Sequence, residues 1–253
     1  MVSSFYNQIG FVICDLLYLM DKINAEFVCE ITIIDENDDF LVVDKPINIS
    51  IQDEPDVIGL ISLLKKQCGY SSLHPVHRLD KVTSGLLLVA KHSSANKELS
   101  RLFSQKLVSK DYLAITRTRT GGKAKKKQGN VSGDMVCVRN GSWKLLRTHH
   151  NPAKTYFCSE SIGERYRLCW LKPITGKTHQ IRVAMKSIAM PIVGDDRYGG
   201  DTSDRTYLHA YRLKFSLNGK EFNFESAPNF GEKFLSENFR SGLRVLERKV
   251  DVS

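Results

Sequence analysis

Six cysteines are scattered along the 253 residues, with no C-x-x-C pair among them and no histidine cluster at ligand spacing. That scarcity of pattern argues against a zinc ribbon or a disulfide-stapled scaffold. It is read as reduced, mostly buried thiols in a cytoplasmic protein, with neither a metal nor a disulfide expected. Long hydrophobic runs are missing too. The most apolar stretch, FVICDLLYLM at 11–20, is broken by Asp15, is too short to span a bilayer and follows no Lys or Arg. It therefore reads as neither a membrane span nor a secretory signal, and a short helix or a leader is expected over 1–26. No Pro- or Ser-rich linker and no internal repeat divides residues 27–230. One domain of class α+β is expected over 27–253, a largely antiparallel mixed sheet flanked by helices and loops. With no coiled-coil pattern to argue otherwise, the default expectation is a monomer.

What is abundant is positive charge. The formal net charge is +9, and the pI is near 9.2. A surface with more Lys and Arg than it can pair internally favours a polyanionic partner, nucleic acid before an anionic membrane. Lys123, Lys125, Lys126 and Lys127 crowd the segment GGKAKKKQG at 121–129. Such a run cannot bury itself, so an exposed loop able to touch phosphates is expected there.

The order of elements is readable in part. ITIID at 31–35 and FLVVD at 40–44 are β-branched runs around a polar turn, a hairpin signature, and Pro46 stops the second strand. Apolar spacing predicts helices over 57–67 and 94–106, the second capped by Ser93 or Ser94. RYRLCWLK at 165–172 alternates Tyr166, Leu168 and Trp170 with polar partners, as a strand does. LKFSL and KEFNF flank Asn218–Gly219, a type I′ hairpin signal.

Two segments carry reactive groups. In His77-Arg78-Leu79-Asp80, just before Thr83-Ser84-Gly85 and the apolar run LLLVA, an aspartate lies on a loop beside a strand. Its neighbours Arg78 and Lys81 favour the carboxylate, which could serve as nucleophile or base. The same residues could instead close a turn through Thr83 and Ser84. In Gly176-Lys177-Thr178-His179-Gln180-Ile181-Arg182, Thr178 is placed to cap a helix whose inward stripe is Ile181, Met185 and Ile188. His179, Arg182 and Lys186 would share a neighbouring face, where an anion site is plausible. No second His or carboxylate in that segment supports a metal role.

Together these segments resemble the RluA-type family of RNA pseudouridine synthases. The resemblance runs in order over roughly 28–230: LVVDKP, HPVHRLDKVTSGLLLVAK, LVSKDYLAI, LKPITGKTHQIRV, PIVGDDRYG, LHAYRLKF and the SAP of 226–228. It does not reach 1–26, where no S4-type RNA-binding module is read, so a catalytic domain standing alone is expected.

The resemblance implies an isomerase that moves the uracil attachment in structured tRNA or rRNA from N1 to C5, with no cofactor. Asp80 would be the essential carboxylate, attacking the ribose or removing its 2′ proton. Tyr112, in the K-x-Y element beginning at Lys110, would stack on the base and help remove the C5 proton. Arg182 would pair with Asp80, Arg78 would fill the gap left by the flipped nucleotide, and Leu208 would pack on the base. Lys110, His179, Gln180 and Ile181 complete the expected substrate contacts. Where the family usually has His, and later Gly-His, this chain has Ala184, Ala189 and Met190.

Overall fold

The computed structural model describes residues 30–118, 127–163 and 165–250. The expected leader over 1–26 and the lysines Lys123, Lys125 and Lys126 fall outside them. The chain divides after Glu30, and every helix and strand named below belongs to the unit that begins at Ile31.

Twelve strands and four α-helices are found among the described residues. They are β1 (Thr32–Glu36), β2 (Phe40–Lys45), α1 (Leu60–Cys68), β3 (His74–Pro75), β4 (Ser84–Ala90), α2 (Ser93–Ser104), β5 (Ser109–Arg117) and β6 (Gln128–Gly133). Next along the chain come β7 (Met135–Cys137), β8 (Trp143–Leu145), β9 (Ala153–Ser161), β10 (Tyr166–Pro173), α3 (Gln180–Ser187), β11 (Leu208–Leu217), β12 (Lys220–Glu225) and α4 (Glu237–Val250). Ten strands form one mixed sheet in the order β1-β2-β4-β11-β5-β10-β9-β6, with β12 on β11 and β3 on β4. β7 and β8 form a separate hairpin. The sheet is antiparallel except where β4 meets β11, a parallel joint of two residue pairs, His209 with Ser84 and Ala210 with Gly85. The expected α+β class and largely antiparallel sheet are what is found.

Apolar runs such as LVV in β2 and LLLVA in β4 are strands covered on both faces, because successive side chains point to opposite sides. Leu41, Val43, Leu87 and Val89 join the larger core, with α1, α3 and α4. Phe40, Val42, Leu86 and Leu88 join a second core under α2 and the β11–β12 hairpin. That hairpin turns at Asn218 and Gly219, both with positive φ, as the Asn-Gly signal requires.

Three local expectations are corrected. The first helix begins at Leu60 rather than 57, because Glu54 and Val57 close a tight turn on each other, leaving Val57 and Ile58 in solvent. The second is capped by neither Ser93 nor Ser94. His92 holds the N-cap position, its Nδ1 accepting the Ala95 N–H at 3.2 Å. The third starts at Gln180 with His179 as N-cap in the left-handed region at φ 56, and Thr178 supplies no cap.

Candidate active site

The loop carrying Asp80 is held from both sides. On one, the half-buried His77 accepts the Leu88 N–H at 3.0 Å and stacks on Phe103, ring centroids 4.4 Å apart. On the other, Lys45 ends β2 wholly buried and donates to the carbonyls of Pro46, Ile49 and Lys81 at 2.8, 2.9 and 3.1 Å. Burial pulls the Lys45 ammonium down to about 7, and the nearby Asp80 charge pulls the other way. The turn itself is closed by main chain, Thr83 N–H to the Asp80 carbonyl at 2.9 Å. Ser84 is taken up elsewhere, between Arg205 and His209. The carboxylate is thus released from turn closure, and its Oδ2 accepts Arg182 Nη1 at 3.1 Å.

Arg182 reaches Asp80 from the buried first turns of α3. Ile181 and Met185 anchor it in the core, and the guanidinium lies almost wholly inside. Asp195 takes the rest of that guanidinium, accepting from Nε and Nη2 at 2.8 Å each. Burial opposes the charge on Arg182, but hydrogen bonds and charge from Asp195, and then Asp80, hold its pKa above the ordinary value. The ring of Tyr198 lies 5.0 Å from the guanidinium carbon. Tyr198 Oη accepts the Trp143 N–H at 3.0 Å and lies 2.7 Å from His179 Nδ1. A neutral His179 with its proton on Nε2 would accept the Tyr198 hydroxyl at Nδ1. Burial lowers the His179 pKa and so favours this neutral ring.

The facing wall comes from the sheet. Tyr112 lies in β5 between Leu171 of β10 and Ala210 of β11, and Leu208 opens β11 opposite Ala114. Burial, then the Asp80 charge, push the Tyr112 phenol well above its usual range. Lys110, one strand repeat earlier, puts its ammonium 5.6 Å from the Phe103 centroid, and burial lowers its pKa. Gln180 faces inward. It accepts from Thr175 and the Lys177 N–H and donates to Lys154 O and Thr155 Oγ1, so it shapes the 175–179 loop from within.

All nine residues expected at the site (Arg78, Asp80, Lys110, Tyr112, His179, Gln180, Ile181, Arg182 and Leu208) line one cavity of about 510 Å³. Among the described residues no cluster of three or more His, Cys, Asp or Glu could hold a metal ion, and no helix is long and apolar enough to cross a membrane. The reading of the sequence missed Asp195, Tyr198 and Lys45. Each lay inside a family motif, PIVGDDRYG or LVVDKP, as a charged or aromatic residue without a role.

A cavity of this size with an arginine-bound carboxylate on one side and a tyrosine on the other suits a single nucleotide. Comparison with known proteins gives the decisive observation. Residues 39–187 match the family model of RNA pseudouridylate synthase. The chain belongs to that family. It is a pseudouridine synthase, an isomerase acting on uridine in RNA. An uncharacterized RNA pseudouridine synthase of Haemophilus influenzae is 45% identical to this synthase, over 88% of this chain and 99% of that one. The ribosomal large subunit pseudouridine synthase C of Rickettsia felis is 34% identical over 84% of this chain and 70% of its own. Among solved structures, human RNA pseudouridylate synthase domain containing 1 superposes on the synthase with a TM-score of 0.68 at 24% identity, over 89% of this chain and 98% of that chain. Domain containing 4 gives 0.65 at 24%, over 93% and 98%. These two bear on the fold.

Proposed function

We propose that this synthase isomerises uridine in the ribosomal RNA of the large subunit, in the cytoplasm, and that Asp80 is its essential residue. The choice of RNA is supported by the relatives named ribosomal large subunit pseudouridine synthase C. The role of Asp80 is supported by one observation above the others: its carboxylate is held by the buried Arg182 at the wall of a nucleotide-sized cavity.

The reaction exchanges one bond for another. The C1′–N1 bond breaks, C1′ joins C5, the C5 hydrogen leaves as a proton and N1 gains one, so no oxidant or donor is needed. A uridine inside a stacked helix cannot present C1′ to a carboxylate. The nucleotide is therefore extruded, at a cost of a few kcal/mol that phosphate contacts offset. Arg78, exposed and on the ridge beside Asp80, is placed to fill the vacated stack. Asp80 then attacks C1′ or takes the 2′ proton, its position fixed by Arg182. Tyr112 and Leu208 hold the freed uracil between them while it turns. Because burial keeps the Tyr112 phenol neutral, its oxygen takes the C5 proton only as its own proton passes to water, and ring stacking is its larger contribution.

The test uses total RNA from a strain lacking the gene, incubated with purified protein and mapped for new pseudouridines by carbodiimide-adduct sequencing, with Asp80→Asn alongside. New sites in large-subunit RNA with wild type only are expected. Sites confined to another RNA would overturn the target, and sites formed by Asp80→Asn would overturn the role of Asp80.

A further inference from the structure

A second cavity, of about 690 Å³, adjoins the first. The two share the ridge His77–Asp80, with His179 and Arg182. The second is closed on its far side by Ser50–Glu54 and flanked by Lys81 and Arg197. A polynucleotide with one nucleotide in the first cavity therefore has a neighbouring nucleotide within reach of the second. On the ridge, Arg78 is exposed and has no hydrogen-bond or ion-pair partner among the described residues.

The far wall is rigid and already satisfied, except at one side chain. The Leu60 and Ile61 N–H groups donate to the carbonyls of Ser50 and Ile51 at 2.9 and 3.1 Å. Gly59 passes so close that a Cβ there would stand 2.3 Å from the Gln52 carbonyl carbon. Asp53 accepts the Gly59 N–H at 2.7 Å and the Ser62 hydroxyl at 2.9 Å, while Glu54 accepts Ser50 and Lys81. Gln52 stands beside these carboxylates with its backbone fixed, its side chain exposed and its amide without a partner among the described residues.

An unpartnered amide on a rigid wall carries a donor and an acceptor side by side, the arrangement that reads adenine bidentately through N6 and a ring nitrogen. In RNA such readout falls on unstacked bases, whose edges are free. The Asp53 charge repels phosphate and base carbonyls from that end and attracts an exocyclic amino group, while Glu54 is paired with Lys81. Arg197, at the other side, suits the linking phosphate. We propose that the second cavity is a subsite for the nucleotide flanking the target uridine, with Gln52 reading its base edge and favouring adenine. This inference rests on the first cavity being the uridine site.

The experiment uses short RNA hairpins around the mapped target, with A, C, G or U placed at each flanking position, and compares kcat/KM for wild type and Gln52→Ala. Wild type should prefer A over U at one flanking position by about tenfold, the lower end of what one bidentate contact discriminates. In Gln52→Ala the difference should shrink to about twofold or less, with the melting temperature unchanged because the side chain is exposed. A wild type active on the hairpins but indifferent to both flanking bases would overturn the subsite alone, as would a preference that survives Gln52→Ala. A wild type that turns over no RNA would overturn the uridine-site reading together with it.

Discussion

Asp195 grips Arg182 through two hydrogen bonds of 2.8 Å, from Nε and Nη2, and leaves Nη1 to meet Asp80 at 3.1 Å. The grip is buried on both sides. It fixes the plane of the guanidinium, and that plane fixes where the Asp80 carboxylate stands. Asp195→Asn should keep the volume but lose the charge and one acceptor. A misplaced reacting group costs on the order of a hundredfold in rate. The single-turnover rate should fall by about that much while RNA affinity changes little. Asp195→Ala, which leaves a buried cation with one partner fewer, should also lose about 3–5 kcal/mol of stability by denaturant titration. An Asp195→Asn protein with wild-type turnover would show that Asp80 does not depend on this clamp.

The sheet has a narrow seam, and the groups proposed to act on the uridine lie on opposite sides of it. Asp80 precedes β4, while Tyr112 and Leu208 sit on β5 and β11, and β4 meets β11 through two residue pairs only. Gly85 makes that joint possible. Its φ is 107, and a Cβ there would stand 2.3 Å from the Ala210 carbonyl oxygen. Beside it, Ser84 Oγ accepts from Arg205 Nη2 at 2.6 Å and lies 2.8 Å from His209 Nδ1. Gly85→Ala should therefore destabilise by about 3 kcal/mol or more, through clash and backbone strain together. Ser84→Ala should cost about 1–3 kcal/mol, the desolvation left on its two buried partners. Chemical denaturation of both variants measures this, and a wild-type midpoint for Gly85→Ala would refute the seam.

How much of this was legible in the sequence depends on range. Strands such as LVV and LLLVA announced themselves by composition, and Asn218–Gly219 by turn chemistry, because both signals are local. Asp80 alone read better as the closure of a turn than as a reactive group. Its partner Arg182 lies 102 residues away, and only the order of the family motifs joined them. The bidentate grip of Asp195, the burial of Lys45 and the left-handed backbone of His179 were not legible. Each is set by how distant segments pack, which periodicity does not encode. The early start expected for the first helix failed for a related reason: Val57 is apolar at helical spacing, yet its main chain is spent on a turn with Glu54.

Two histidines, His209 buried and His77 half-buried, should make the fold sensitive to acid. Burial lowers His77 and His209 to about 3 from an ordinary 6.5. Each is neutral in the fold, one accepting the Leu88 N–H, the other bridging Ser84 and the Ser226 carbonyl. Between pH 6.5 and 3 the unfolded chain binds protons that the folded one does not, so stability rises with pH across that window and falls as acid is added. Above 6.5 the contribution of these two groups is complete and flat. His77→Gln keeps an acceptor for Leu88 but removes one titration, so its melting temperature should fall less steeply than wild type between about pH 6.5 and 4. Parallel curves for the two proteins would count against His77 as a source of the acid sensitivity.

The helix that carries Arg182 ends on an unfavourable residue. After α3 the Met190 N–H bonds to the Met185 carbonyl and the Ala189 N–H to that of Lys186, each at 3.0 Å, which is the Schellman pattern. The position between them needs left-handed backbone, and Ala189 adopts it at φ 60. An L-residue with a Cβ is disfavoured there, and glycine is the usual occupant, the residue the resembled family ordinarily has at this point. Ala189→Gly should stabilise the protein by about 1 kcal/mol, because relief of the Cβ contact outweighs the extra freedom glycine gives the unfolded chain. Ala189 is exposed and contributes nothing to the lining of the cavity, so turnover per folded molecule should stay at the wild-type level. Urea titration and single-turnover rates on the same preparations decide it. A midpoint at or below wild type would mean that the strain is already relieved by the helix end itself.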